Sequence, residues 1–154
     1  MQIAMFAAGC FWGVEVAFRR LEGVIATTVG YSGGTSKDPR YRDVCTGKTG
    51  HAEVVQVQFD PCQASYDQLL DAFWEVHDPT TLNRQGPDVG TQYRSVVFYL
   101  TPEQESAARE SLQKRRESGL HTNAIVTQIV PASEFFRAEE CHQQYFAKQG
   151  VAES

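Results

Sequence analysis

The sequence has no surplus of positive charge. Its 154 residues carry 14 lysines and arginines against 19 aspartates and glutamates, a formal net charge of −5. The one basic run, Lys114-Arg115-Arg116, is followed directly by Glu117. Because proteins that bind nucleic acid use lysine and arginine to neutralise phosphates, we expect no nucleic-acid partner.

Cysteine is scarce, and no two cysteines form a CxxC motif. The four cysteines stand at positions 10, 45, 62 and 141, too few and too far apart for the disulfide scaffold of a small secreted protein. His77-Asp78 and Cys141-His142 lack a third and fourth ligand at zinc-like spacing. We therefore expect reduced thiols, no metal and a cytoplasmic location.

Long apolar runs are also absent. No stretch reaches the roughly 18 apolar residues of a membrane-spanning helix. The mostly apolar residues 3–14 include Ala7-Ala8-Gly9-Cys10, which superficially resembles a lipoprotein cleavage box. Nothing basic precedes this run and only nine residues precede the cysteine, whereas a signal peptide needs a charged start and about 15–30 residues. We expect neither a leader nor a membrane partner.

What is present is typical of one folded domain. Hydrophobic residues make up 42% of the chain and aromatic residues 11%, which argues against disorder. The length matches one domain with a single substantial core. We expect one domain over residues 1–154, and a monomer.

Hydrophobic periodicity predicts alternating strands and helices. Strands are expected at 2–7, 24–31, 52–59, 96–100 and 124–130, and helices at 14–21, 66–74, 102–118 and 133–148, with long loops at 35–50 and 80–92. Loops this long in a compact domain are often functional. The predicted fold is α+β, a two-layer sandwich with a ferredoxin-like core and a mixed sheet.

Cys10 falls at the turn between the first strand and the first helix. Unpaired N–H groups and the helix dipole can stabilise a thiolate there, which favours a reactive thiol. A small buried hydrophobic residue is the alternative, and the local context leaves both open. Phe11 and Trp12 are core residues by default, but at a turn they can also line an apolar pocket beside the sulfur.

Two further segments carry polar side chains that could support catalysis. Glu53 stands at the start of an apolar strand, where burial would raise the pKa of its carboxyl and keep it a proton donor. An ordinary exposed charge is the alternative. The loop 84–95 is dense in hydrogen-bonding side chains and ends in Tyr93-Arg94.

Eight motifs in order along most of the chain carry a family resemblance. They are Gly9-Cys10-Phe11-Trp12-Gly13, Gly30-Tyr31-Ser32-Gly33-Gly34, Pro39-Arg40-Tyr41 with Val44, Thr49-Gly50-His51-Ala52-Glu53, Phe59-Asp60-Pro61, His77-Asp78-Pro79-Thr80, the loop 84–95, and Ala138-Glu139 followed by His142-Gln143. With these motifs the chain resembles the peptide methionine sulfoxide reductases of the A family, which act on the S epimer of the sulfoxide.

The resemblance implies a role for each matching residue. Cys10 would be the nucleophile, Glu53 the acid that protonates the sulfoxide oxygen, and Asp88 a carboxylate that organises the polar side of the site. Tyr41 and Tyr93 would be phenols that hydrogen-bond to the oxygen. Phe11 and Trp12 would hold the substrate's methyl group. Substrates would be oxidised proteins or free methionine sulfoxide.

Recycling of Cys10 is where the sequence departs from the family. Attack on the sulfoxide would leave a sulfenic acid, which a second thiol must capture. Many relatives carry recycling cysteines after the His142-Gln143 region, whereas the last cysteine printed here is Cys141, where the family usually has tyrosine. Cys141 and Cys45 are the candidate resolving cysteines, with direct reduction by an external thiol as a third route. Thioredoxin or a small dithiol would be the reductant, with no bound cofactor.

Two other functions stay open at this stage. One is a cysteine hydrolase or acyltransferase in which His51 or His142 activates Cys10. The other is a non-catalytic module that binds oxidised methionine in partner proteins. A hydrolase needs a histidine base and an oxyanion hole, whereas a reductase needs a protonated Glu53 beside Cys10.

Overall fold

The computed structural model describes residues 1–149 and contains a six-stranded mixed sheet. The strands are β1 Gln2–Ala8, β2 Val24–Ser32, β3 Ala52–Phe59, β4 Arg84–Gln85, β5 Asp88–Val89, β6 Ser95–Tyr99, β7 Gln128–Pro131 and β8 Phe136–Arg137. The helices are α1 Phe11–Arg19, α2 Tyr41–Val44, α3 Tyr66–Val76, α4 Pro102–Glu117 and α5 Tyr145–Lys148. The last five residues of the predicted domain lie outside this description.

The order of strands confirms the predicted fold class. The main sheet runs β7-β6-β1-β3-β2-β8, and β4 and β5 form a separate hairpin. Within the run β6-β1-β3-β2 each strand is antiparallel to the next, which with helices α1 and α3 is the ferredoxin-like arrangement. The parallel pairing of β6 with β7 makes the sheet mixed.

Alternation along the strands divides the core between the two faces of the sheet. Ala4 and Phe6 of β1 pack on the helix side, together with Phe18 of α1 and Phe73 of α3. Met5 belongs to a smaller cluster on the opposite face, which the chain around Ala132 and Phe135 covers. Among residues 1–149 we find no helix with the length and apolar character needed to cross a membrane.

The long helices begin where capping residues stand. Thr101 accepts a hydrogen bond from the backbone N–H of Gln104, and Pro102 occupies the first turn, so the helix begins at the predicted residue. The side chain of Gln104 does not close a capping box. It accepts from the N–H of Leu100 and donates to the carbonyl of Ile3, so it ties α4 to the first strand.

The prediction of a last helix over 133–148 is wrong. That segment contains β8, a 3₁₀ turn at Glu140–His142 and only four helical residues in α5. The hydroxyl of Ser133 lies 3.1 Å from that of Ser32 and caps no helix. Gln144 has a left-handed backbone with φ of +50°, which breaks the helical path. The predicted strand 124–130 is also shorter, since only β7 pairs with the sheet.

Short elements interrupt both predicted long loops. The loop 35–50 contains α2, and the loop 80–92 contains the β4–β5 hairpin and the start of a 3₁₀ turn at Thr91–Tyr93. His51 holds the first loop, because its Nδ1 accepts the N–H of Gly34 at 2.9 Å and its Nε2 lies 2.7 Å from the carbonyl oxygen of Ser36. These loops are therefore ordered parts of the fold.

Alanine substitutions at two glycines, one in β2 and one in α1, test how closely the chain is packed around each of them. Gly30 lies where β2 meets β8, and a Cβ there would collide with the carbonyl oxygen of Phe136 and the ring of Phe135. Gly30→Ala should lower the free energy of unfolding by about 1–3 kcal/mol. Gly13, in α1 with open space around it, is the matched control, and Gly13→Ala should raise stability by about 0.5–1 kcal/mol. Urea denaturation measures both, and a neutral Gly30→Ala would contradict this packing.

Candidate active site

The thiol of Cys10 lies at the N-terminal end of α1. Gly9, with a φ of +102°, turns the chain out of β1, and Cys10 occupies the N-cap position of the helix. The Cys10 side chain makes no capping hydrogen bond, but the backbone N–H groups of Trp12 and Gly13 favour its thiolate. The strand-to-helix turn predicted from the sequence is therefore correct, and it presents a half-buried sulfur to the helix's unpaired N–H groups.

Burial nevertheless makes Cys10 a poor acid. Its pKa rises to about 12, chiefly because burial disfavours the thiolate and also because the charges of Glu53 and Asp88 repel it. The backbone N–H groups of Trp12 and Gly13 act in the opposite direction but are outweighed. The resting group is a thiol, because burial outweighs the stabilisation of a thiolate that the helix N-terminus offers.

Glu53 supplies a buried carboxyl beside this thiol. Its neighbours Ala52 and Val54 face the other side of the sheet, so alternation along β3 turns Glu53 to the helix side, at the start of α1. Its Oε1 accepts the N–H of Phe11 at 3.2 Å, whereas its buried Oε2 has no hydrogen-bond partner. Only 1% of its surface is exposed, which excludes the alternative of an exposed charge.

The unpaired oxygen has a direct chemical consequence. Burial raises the pKa of Glu53 to about 8; the N–H of Phe11 opposes this effect and the charge of Asp88 adds to it. At neutral pH the group is a carboxylic acid whose Oε2 can donate a proton. A buried donor without a partner in a resting structure is typical of a site built to receive a ligand.

Asp88 is brought to the site by the β4–β5 hairpin. The side chain of Gln85 accepts the N–H of Asp78 at 2.9 Å and packs against Gly9, where a Cβ would come within 2.9 Å of its Cγ. The hairpin is thus fixed against the turn that carries Cys10. The charge of Asp88 raises the pKa of Cys10, Glu53 and Tyr93, which places all four in one cluster.

Two phenols complete the polar side of the cluster. Tyr41 begins α2 and Tyr93 ends the 3₁₀ turn before β6. Burial, followed by the charge of Glu53, raises the pKa of both hydroxyls, that of Tyr93 to about 12. Both groups are therefore neutral O–H donors, and both lie within electrostatic range of Glu53.

An aromatic wall closes the apolar side. Phe11 is fully buried, with ring centroids 5.6 Å from Tyr31 and 6.3 Å from Tyr41. Trp12 is half-buried and lies 6.1 Å from Tyr41 in a stacked arrangement. Its other contacts come from the end of the chain, where Tyr145 stacks on it at 3.8 Å. The two aromatic residues singled out from the sequence therefore stand together beside Cys10.

The segment 138–145 fixes this wall, and sequence analysis missed its role. His142 accepts a hydrogen bond from Trp12 Nε1 at its Nδ1 and packs 4.4 Å from the ring of Tyr41. Burial lowers the pKa of His142, which keeps Nδ1 free to accept. Gln143 exchanges two hydrogen bonds with the backbone of Val29 and so anchors the segment to β2. The motif that contains His142 and Gln143 was identified in the sequence. The helix predicted over 133–148, however, gave no indication that these residues contact Trp12, Tyr41 and Val29.

Two carboxylates connect the same segment to the site. Glu139 accepts the hydroxyl of Tyr31 and the N–H of Tyr41, each at 3.2 Å. Burial alone would raise the pKa of Glu139, but its own backbone N–H, followed by the hydrogen bonds from Tyr41 and Tyr31, brings the pKa below its ordinary value. The buried Glu15 accepts the N–H of Gln144 at 2.7 Å. The end of the described chain is thus part of the site's support.

The remaining cysteines differ in their relation to the cluster. Cys45 follows α2 and hydrogen-bonds to the phenol of Tyr41. Cys141 and Cys62 are exposed, in the last 3₁₀ turn and after β3 respectively. In residues 1–149 no group of three or more histidine, cysteine or acidic side chains is arranged to hold a metal ion.

The chain is similar to known proteins along nearly its whole length. The family model described as "Peptide methionine sulfoxide reductase" matches residues 2–153. The "Peptide methionine sulfoxide reductase MsrA" of Methanoculleus marisnigri is 63% identical over 150 residues, which are 97% of this chain and 92% of that protein. The likeness extends over nearly the whole of both chains.

Solved structures agree with the fold as well. Mxr1 from Saccharomyces cerevisiae in reduced form is 36% identical, with a TM-score of 0.90 over 98% of this chain and 87% of that one. Mxr1 in complex with Trx2 is 27% identical, with a TM-score of 0.66 over 94% of this chain and 84% of that one.

The raised pKa of Glu53 predicts a pH-dependent cost to stability. An unfolded glutamate ionises near pH 4.5, but the folded one keeps its proton to about pH 8, so wild-type stability falls as pH rises between these values. Glu53→Gln should therefore be more stable than wild type by about 3–5 kcal/mol at pH 8, with the gain vanishing below pH 4.5. Urea denaturation at pH 8 and below pH 4.5 measures this difference in the free energy of unfolding. Glu22→Gln, at an exposed position, is the control. An equal gain for Glu53→Gln at both pH values would contradict a neutral Glu53.

Proposed function

Because the chain belongs to the peptide methionine sulfoxide reductase family, we propose that Cys10 carries its reaction, the thiol-dependent reduction of methionine sulfoxide to methionine. The observation that carries the assignment is the buried, unpartnered Oε2 of Glu53 beside the Cys10 thiol. A sulfoxide sulfur becomes a good electrophile when its oxygen receives a proton, and Glu53 is a neutral acid in position to give it.

The pair of Cys10 and Glu53 supplies both an acid and a base. Glu53 passes its proton to the sulfoxide oxygen, and the carboxylate left behind takes the proton of the Cys10 thiol as the sulfur attacks. Collapse of the adduct breaks the substrate's S–O bond and the bond between the two sulfurs while the hydroxyl forms a new S–O bond on Cys10, which releases methionine and leaves Cys10 as sulfenic acid. One thiol and one sulfoxide give one sulfenic acid and one thioether, and Glu53 ends protonated as it began.

The phenols stabilise the oxygen while its charge changes. Tyr41 and Tyr93 keep their protons, since their pKa values are raised, and both can donate to the sulfoxide oxygen. Asp88 supports the same step indirectly, because its charge helps to hold the pKa of Glu53 high and the acid protonated. In this proposal the two phenols and Glu53 all act on the sulfoxide oxygen of the substrate.

The arrangement also selects one epimer. A sulfoxide must place its sulfur at Cys10, its oxygen at Glu53 and the phenols, and its methyl group on the wall of Phe11 and Trp12. Three fixed contacts on a chiral sulfur accept one epimer, and we assign the S epimer from the family resemblance. Because the fourth substituent points away from these contacts, free methionine sulfoxide and oxidised proteins both fit the proposal.

Recycling requires reducing equivalents from outside the chain. A second thiol converts the sulfenic acid to a disulfide, and a dithiol then reduces it. Since the related Mxr1 has been solved in complex with Trx2, we propose thioredoxin, or a small dithiol in its place, as the reductant. The protein works in the cytoplasm as a monomer in this proposal, without a resident cofactor or metal.

The hydrolase alternative lacks an available base. Both ring nitrogens of His51 are engaged with backbone atoms of Gly34 and Ser36. The Nδ1 of His142 accepts the Trp12 indole N–H. A non-catalytic binding module would have no use for an acid held neutral beside a thiol, so neither alternative is favoured.

A coupled assay on the separated epimers tests the function. With thioredoxin, thioredoxin reductase and NADPH, we expect the S epimer of free and peptide-bound methionine sulfoxide to be reduced and the R epimer to be untouched. Cys10→Ser should form no methionine while keeping a wild-type circular dichroism spectrum, and Cys62→Ser should keep full activity. Methionine formation by Cys10→Ser, or equal use of both epimers, would refute the proposal.

A further inference from the structure

The protein offers more than one thiol that could capture the sulfenic acid on Cys10. Cys45 and Cys141 are both exposed, as is Cys62 after β3. An inference about the resolving thiol rests on the proposed function, because it concerns the step that follows the release of methionine.

Helix α2 directs Cys45 toward the catalytic cluster. Cys45 comes four residues after Tyr41, and residues with this spacing lie on the same face of a helical turn. The Tyr41 hydroxyl donates to the Cys45 sulfur, and the ring of Tyr41 packs against both Phe11 and Trp12. The Tyr41 side chain thus links Cys45 directly to the aromatic wall beside Cys10.

The charge of Glu53 acts on both thiols. It raises the pKa of Cys10 and of Cys45, and the charges of the two thiolates raise the pKa of Tyr93. Cys10 and Cys45 are thus coupled to the same carboxyl and the same phenol.

Cys141 is directed elsewhere. It precedes His142, whose ring packs against Tyr41 and Trp12, in a 3₁₀ turn where successive side chains point about 120° apart. Its other neighbour, Glu140, faces the surface and pairs there with Arg137 and Lys148. His142 is turned inward and Cys141 is exposed, so the two side chains lie on different sides of this turn.

We propose that Cys45 is the resolving cysteine. Its sulfur attacks the sulfenic sulfur of Cys10, the S–O bond of the sulfenic acid breaks, and the hydroxyl leaves as water with the thiol proton of Cys45. A Cys10–Cys45 disulfide results. A dithiol then reduces this bond, becoming oxidised itself and restoring both thiols.

The exposure of Cys45 suits the second exchange. Residues 45–48 are all exposed, and Gly47 in this turn has no atom within contact distance of an added Cβ. The space beside this turn is therefore open to an external dithiol. An external thiolate would reach the outer sulfur, that of Cys45, and release Cys10 into the site.

Single-turnover and steady-state assays of three serine variants test the assignment. After one equivalent of methionine S-sulfoxide, wild type should lose two of its four thiols, and mass spectrometry of the digest should show Cys10 linked to Cys45. Cys45→Ser should release one equivalent of methionine, retain a Cys10 sulfenic acid trapped by a carbon nucleophile, and lose thioredoxin-dependent turnover by about 100-fold or more. Cys141→Ser and Cys62→Ser are the matched controls and should cycle like wild type.

Other outcomes overturn the proposal. Loss of turnover in Cys141→Ser with normal turnover in Cys45→Ser would assign the role to Cys141. Normal turnover in all three variants would mean that an external thiol reduces the sulfenic acid directly. Because Cys45→Ser must still release its first equivalent of methionine, a fold or chemistry defect is distinguished from a recycling defect. Failure of wild type to release methionine would instead refute the proposed function.

Discussion

The burial of one carboxyl group, that of Glu53, is the constraint on which the rest of the site depends. One of its oxygens is held by the N–H of Phe11 and the other has no partner. Burying a carboxylate in this way is costly, so the folded protein keeps the group protonated. The fold thereby keeps a proton donor beside Cys10 at a pH where most glutamate side chains are ionised.

The same burial explains why the thiol and the acid must act together. The pKa of Cys10 is raised to about 12, so the protein does not hold a ready thiolate. The base appears only when Glu53 has given its proton away, which makes nucleophilic attack conditional on a sulfoxide oxygen being present. A thiol that stays protonated until substrate arrives is also less prone to oxidation by other species, since the thiolate is the reactive form.

Much of the remaining structure holds the side chains of the site in position. The β4–β5 hairpin sets Asp88 through Gln85 and Gly9, and the segment 138–145 sets Trp12 and Tyr41 through His142 and Glu139. The helix face of the sheet supplies a rigid base, because Phe6, Phe18 and Phe73 are packed ring against ring. Catalytic side chains on short elements are thus held by contacts that reach across the whole chain.

The sequence predicted the parts of the fold that follow from local pattern. The strand at 52–59, the start of the helix at residue 102 and the turn at Cys10 all depend on neighbours in the chain, and the structure confirms them. The end of the chain could not be predicted in this way. Gln143 and Glu139 satisfy backbone groups more than 90 residues away, and these contacts, together with the left-handed Gln144, replace the helix that local pattern favours.

The candidate site shows the same division. Cys10 and Glu53 could be identified from the sequence, because one lies at a strand-to-helix turn and the other at the start of a strand. The pKa of each group, in contrast, depends on how deeply the fold buries it. The N-terminal position of Cys10 argued for a thiolate, and only the surrounding packing shows that burial prevails. The partnership of Tyr41 with Cys45 likewise needed the observed helix α2 within a segment that the sequence predicted as loop.

The most direct test of this account is the pH dependence of methionine release in a single turnover of the wild-type protein. If the reactive state is the Cys10 thiol with a protonated Glu53, the rate is constant below pH 7 and falls tenfold per unit above about pH 8, where Glu53 loses its proton. Glu53→Gln should react about 10²–10⁴-fold more slowly, without an inflection near pH 8. A wild-type rate that rises through pH 8–9, as for an enzyme limited by thiolate formation, would contradict the account.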